Sequence, residues 1–80
     1  MRNWGRFHTP RNLAESVSIE AAELLELFQW GREPDRTELA NELADVMIYA
    51  LNLCDVVGLD PEAIIRAKIA RNGERFPVCQ

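Results

Sequence analysis

An all-α fold, a helical hairpin followed by a third helix, is predicted by three features of the sequence. Apolar residues recur at helical spacing, Gly and Pro divide those runs, and no stretch shows strand-like alternation. The chain has 80 residues and a formal net charge of -4, which suits one domain over residues 1–80 and leaves no room for a second.

Met1 to Pro10 hold Trp4, Gly5, Phe7, His8 and Pro10 without periodicity and read as an extended lead-in. From Asn12 to about Trp30, Leu13, Val17, Leu24, Leu27 and Phe28 recur at helical spacing, and Pro10 suits a helix entry. Gly31-Arg32-Glu33-Pro34-Asp35-Arg36 combines a Gly stop, a Pro that cannot continue a helix and charges suited to water, so it is a helix-to-helix loop. Thr37 is the predicted N-cap of the second helix, which carries Glu38 in its first turn and runs to about Val57, with Gly58 as its stop. Asp60-Pro61-Glu62 opens a third helix expected to reach about Asn72, where Gly73 ends it, and Phe76-Pro77-Val78 forms a tail.

Hydrophobic residue types make up 48% of the chain, a surplus for a domain whose own core is marginal at this length. Val46 to Cys54 is apolar almost all round the helix, and such a helix needs burial on every side. Three helices cannot cover it. The expectation is a homodimer or homotetramer that completes a four-helix-bundle-type core with this segment at the interface.

Composition also narrows the function. Arg32, Arg36, Arg66, Lys68 and Arg71 are scattered on an acidic chain, which argues against a nucleic-acid partner. A small phosphorylated ligand stays open, because a bound metal inverts the sign of an acidic cluster. Cys54 and Cys79 belong to no metal or redox spacing and read as structural. No leader pattern occurs, and no apolar run approaches the roughly 20 residues of a membrane span, so no membrane partner and a cytoplasmic location are expected.

The acids are placed more tellingly than they are spaced. At about 100° per residue, Glu20 projects within roughly 20° of Leu13 and Leu27, inside the first helix's apolar stripe, and Glu23 lies on its flank. In the second helix Leu39, Leu43, Val46, Ala50 and Leu53 define the stripe, while Glu42, Asp45 and Tyr49 form a polar edge beside it. A carboxylate facing a core is costly unless paired, hydrogen-bonded or bound to a cation. Four converging carboxylates repel one another but suit a hard divalent ion, magnesium first and manganese as a substitute. The absence of His and Cys ligands disfavours zinc, copper and a di-iron bundle. Either acid pair alone is common on solvated helices, so from the residues alone a solvated acidic edge and a metal site both stand.

The chain resembles the MazG-like all-α nucleoside triphosphate pyrophosphohydrolases, in the branch similar to dCTP pyrophosphatase. The resemblance rests on Trp4-Gly5-Arg6-Phe7-His8-Thr9-Pro10-Arg11-Asn12-Leu13, Glu20-Ala21-Ala22-Glu23-Leu24, Phe28-Gln29-Trp30 and Glu42-Leu43-Ala44-Asp45-Val46, with Lys68-Ile69, Asn72 and Arg75-Phe76-Pro77 behind them. Between Glu23 and Glu42 lie 18 residues, within the spacing of the family's ExxE and ExxD signature.

By that resemblance Glu20, Glu23, Glu42 and Asp45 become catalytic magnesium ligands. Trp4, Phe7, His8, Trp30 and Tyr49 become candidates for nucleotide contact, and a pyrimidine deoxynucleoside triphosphate, dCTP above all, becomes the substrate. Relatives usually carry another helix before the lead-in, so the resemblance also implies that part of a base pocket is missing from this chain.

Two groups keep a plainer reading alongside. Trp4, Phe7, Trp30 and Tyr49 suit base stacking, yet aromatics at helix ends commonly pack a core; His8 serves equally as a lead-in anchor. Lys68 and Asn72 lie four apart on the third helix and can address one phosphate or sugar oxygen, or can simply be a snorkelling Lys and a polar residue near a helix end. The expected activity is magnesium-dependent hydrolysis of the triphosphate to monophosphate and pyrophosphate. The alternative is a non-catalytic helical oligomer that binds nucleotide or protein.

Overall fold

The computed structural model describes residues 9–75, all of its regular structure being helical. Helix α1 spans Pro10–Glu26, a 3-10 turn spans Gln29–Gly31, α2 spans Arg36–Val57 and α3 spans Pro61–Arg75. The lead-in residues Trp4, Phe7 and His8 and the tail Phe76-Pro77-Val78 lie outside the described residues.

Thr9 and Pro10 start α1 together. Thr9 Oγ1 accepts from the Asn12 N–H at 3.1 Å, and Pro10 occupies a first-turn position where no N–H is needed. Sequence periodicity predicts this helix to Trp30, but it ends at Glu26. The Leu27 and Phe28 N–H groups bond three residues back, to Leu24 and Leu25, so the last turn tightens. Trp30 (φ 64) and Gly31 (φ 71) then reverse the chain in the left-handed region. For Trp30 that conformation costs about 1–2 kcal/mol.

The cap of α2 also differs from expectation, being Asp35 in place of Thr37. Asp35 Oδ1 accepts from the Glu38 N–H at 2.8 Å, and Glu38 Oε1 accepts from the Asp35 N–H at 3.4 Å, a reciprocal capping box. Gly58 closes the helix as predicted, with φ 76. Its N–H bonds to the Asp55 carbonyl at 3.3 Å and the Leu59 N–H to the Cys54 carbonyl at 2.8 Å, so two terminal carbonyls are satisfied.

Asp60 and Pro61 open α3 as predicted, with Asp60 Oδ1 accepting from the Glu62 N–H at 3.2 Å. Gly73 does not end it. Glycine at the end of a run permits a left-handed stop without compelling one, and here the helix continues to Arg75 at a cost of roughly 1 kcal/mol relative to alanine.

Helices α1 and α2 pack on each other as a hairpin, whereas α3 meets the hairpin sparsely. Leu13 is the one fully buried side chain among the described residues. The radius of gyration is 15.5 Å, against about 12 Å for a compact chain of this length. Met47, Ile48, Leu51, Ile65 and Ile69 are each about half exposed. Beside them, an apolar groove of about 330 Å³ runs between α2 and α3, and a second, almost wholly apolar one of about 360 Å³ is lined by all three helices.

Candidate metal centre

The hairpin converts sequence-distant acids into neighbours. Glu20 and Glu23 are one turn apart on α1, and Glu42 faces them from α2. One carboxylate oxygen from each of the three lies within 4.8 Å of the others. Asp45, one turn beyond Glu42, stands outside that group but is close enough to act on both Glu20 and Glu42.

Burial divides the group in a useful way. Glu20, Glu42 and Asp45 are half-buried, and Glu23 faces solvent. Glu20 Oε1 and Glu42 Oε1 are shielded from water and accept no hydrogen bond. Desolvation is the main force raising the Glu20 carboxyl above its ordinary value of 4.5, followed by the charges of Glu23, Asp45 and Glu42 and by a hydrogen bond with Glu23. Desolvation likewise raises Glu42, followed by Glu23, Asp45, Glu26 and Glu38.

Among the described residues, the ion pairs join Arg11 to Glu15, Arg32 to Glu38 and Arg66 to Glu62, and none reaches these three acids. Two shielded, unpaired carboxylate oxygens beside a third carboxylate form an all-oxygen donor set that suits a hard divalent cation. Such an ion would remove both the repulsion and the orphaned lone pairs at once.

The remaining residues singled out by sequence fall in three places. Tyr49 is half-buried on α2, one turn past Asp45 on the same polar edge. Trp30 stands at the hairpin turn with 97% of its surface exposed. Lys68 is exposed and Asn72 half-buried on α3. That helix meets α2 along Ala50 and Cys54, roughly 140 to 180° around the helix from Asp45.

Two residues escaped the sequence reading. Asn52 projects within roughly 20° of Asp45, and its Nδ2 is shielded without a hydrogen-bond partner. An uncharged residue in an apolar run gave no signal beyond its polarity. Arg32, read only as a loop charge, binds Glu38 through Nη2 at 2.8 and 2.9 Å and the Leu27 carbonyl through Nη1 at 3.1 Å. That fork depends on the turn's path, which spacing does not reveal.

A helical hairpin that gathers carboxylates from both arms around one point defines a class of all-α proteins with an acidic cluster between two helices. Within it, this chain belongs to the MazG-like family, whose sequence profile matches residues 16–80. It is 41% identical over 88 aligned residues to dCTP pyrophosphatase 1 of Mus musculus, an alignment covering 96% of this chain and 51% of the relative. It is 41% identical to the Rattus norvegicus protein of that name, with the same coverage, and 37% identical to that of Homo sapiens, covering 95% of this chain and 51% of the relative. The chain thus spans about half the length of the curated relatives it matches.

Proposed function

We propose that this chain hydrolyses a nucleoside triphosphate, dCTP or a closely related pyrimidine deoxynucleotide, to monophosphate and pyrophosphate with magnesium as cofactor. The observation that carries the proposal is the carboxylate cluster, with two shielded, unpaired oxygens on Glu20 and Glu42 and a solvent-facing partner in Glu23. The named activity of the relatives supplies the substrate class.

Glu20, Glu23, Glu42 and Asp45 are the residues that would hold the ion. A bound magnesium supplies charge neutralisation at the phosphate oxygens and lowers the pKa of a coordinated water. Glu23, the exposed acid of the group, is the one assigned to take a proton from an attacking water, its exposure supporting that assignment. Glu20 and Glu42 are fixed by the hairpin and hold the geometry. Tyr49 and Trp30, with Trp4, Phe7 and His8 of the lead-in, are assigned to the nucleoside end.

The proposal includes a homodimer or homotetramer with a four-helix-bundle-type core in the cytoplasm. Its support is the exposed apolar face of α2 and α3 and the single buried leucine. It also accounts for Lys68 and Asn72, which sit on a helix that meets α2 away from Asp45 and would reach phosphate or sugar oxygens in a second copy's site.

Pyrophosphate release across the four common dNTPs and their modified pyrimidine forms, with magnesium or manganese, tests the proposal. Turnover favouring dCTP is the expected result. No metal-dependent turnover of any of them by an intact oligomer overturns it, and calorimetric nucleotide binding without product would favour a binding module instead.

A further inference from the structure

Trp30 combines two unfavourable properties. It is 97% exposed, and its φ of 64 is one that bulky side chains rarely adopt. An indole in water forgoes burial, and a β-carbon at positive φ crowds the following carbonyl. A turn retains such a residue only where its surroundings over-determine the backbone, and such sites cluster at ligand contacts.

Arg32 supplies the over-determination. Its Nη1 donates to the Leu27 carbonyl just past α1, at 3.1 Å, and its Nη2 donates to both carboxylate oxygens of Glu38, at 2.8 and 2.9 Å. Glu38 is also the acid of the capping box that starts α2. One guanidinium therefore ties the end of the first helix to the beginning of the second, with Trp30 in the span between its anchors. The Arg32 backbone N–H adds a bond to the Gln29 carbonyl at 3.1 Å, closing the 3-10 turn on Trp30 itself.

We infer that Arg32 is a positioning residue that holds the backbone of the turn in advance, so that Trp30 projects from it as a stacking face for the nucleotide base. The inference rests on the function proposed above. Glu42 lies six residues past the start of α2, about 9 Å along the helix axis from its N-terminus, and Glu23 lies three residues before the end of α1. Phosphates at Glu20, Glu23 and Glu42 and a flat ring at Trp30 therefore fall at the same end of the hairpin. A turn fixed beforehand loses less freedom on binding than a mobile one, so Arg32 acts on affinity and leaves the chemical step alone.

The test compares Arg32→Ala, Arg32→Lys and Trp30→Gly in the full chain. Arg32→Ala is expected to raise KM about 10-fold, within the affinity range of a lost aromatic contact, with kcat within about twofold of wild type. Arg32→Lys keeps the charge but not the two-pronged geometry, so its KM should follow that of Arg32→Ala. In Arg32→Ala combined with Trp30→Gly, KM should be no worse than in Trp30→Gly alone.

NMR relaxation of the Trp30 backbone N–H gives a readout independent of turnover, and it should show greater motion of the turn in both Arg32 variants. A lysine that restores wild-type KM makes Arg32 a charge for phosphate and overturns the inference. Additive KM effects, or unchanged Trp30 backbone relaxation in Arg32→Ala, overturn it equally. A wild-type chain that turns over no nucleotide overturns the proposed function, and the stacking role with it; the relaxation comparison then still decides whether Arg32 holds the turn.

Discussion

The two ends of the hairpin follow opposite rules. Toward the turn, the built features other than the exposed Trp30 are polar and local: the capping box, the Arg32 fork and the carboxylate cluster are all assembled within one chain. Toward Val57 the side chains of α2 are mostly apolar, and large ones such as Leu51, with Ile65 of α3, stand half exposed beside an apolar groove. The turn end carries electrostatic repulsion without enough apolar burial beside it. The other end carries apolar surface without a cover. The difference teaches that site and core are separable here, the first shaped by one chain and the second, on the proposed assembly, by two or more.

Removing a site carboxylate breaks the comparison most sharply, because the two ends should respond in opposite directions. Glu42→Gln is expected to lower magnesium-dependent turnover by at least about 100-fold while raising the melting temperature of the metal-free chain, since a raised, repelling carboxylate is gone. Paired turnover assays and thermal melts check this, and a variant both active and less stable would refute the site assignment.

Leu51→Glu addresses the opposite end by placing a charge on the uncovered face. Sedimentation should then show the 9.1 kDa single chain where the wild type runs as an oligomer, with a melting temperature that no longer rises with protein concentration. A wild type that already sediments as a stable monomer removes the proposed assembly.

Proton linkage distinguishes the ends more gently. Glu20 and Glu42 titrate above 4.5 when folded, so between 4.5 and those raised values the folded chain binds more protons than the unfolded one. Their contribution to stability is therefore lost as pH rises through the raised values. Urea midpoints of the metal-free chain should fall over that window, and magnesium should flatten the decline. The smallest expected effect is that of Asp35→Ala, about 1 kcal/mol from the lost cap, read as a modest drop in melting temperature.

Much of this was legible because it depends on local chemistry. Pro10, Gly58 and Asp60-Pro61 act on the backbone wherever they occur in such patterns, and each marks a boundary that the structure keeps. Glu20 announced itself by sitting in an apolar stripe, and the packing of α1 on α2 brought it to Glu42. What failed depended on competition between signals. Phe28 and Trp30 continued the apolar rhythm past Glu26, yet the reversal at Trp30 and Gly31 overrode it. Thr37 and Asp35 are both good caps, and Glu38 decided between them by reaching back to Asp35. Gly73 shows the converse, a permissive residue left unused. The standing of Asp45 outside the cluster of three reflects side-chain reach, which residue spacing does not encode.

The corner at Gly58 carries a last consequence, which concerns handedness. A β-carbon built there meets no atom within 4 Å, so the site has ample room, yet φ is 76. Its demand for glycine is therefore stereochemical. In a chemically synthesised chain, a D-alanine at this position would enter the corner unstrained and restrict the unfolded chain, whereas its L mirror image would oppose the very bend that leads from α2 into α3.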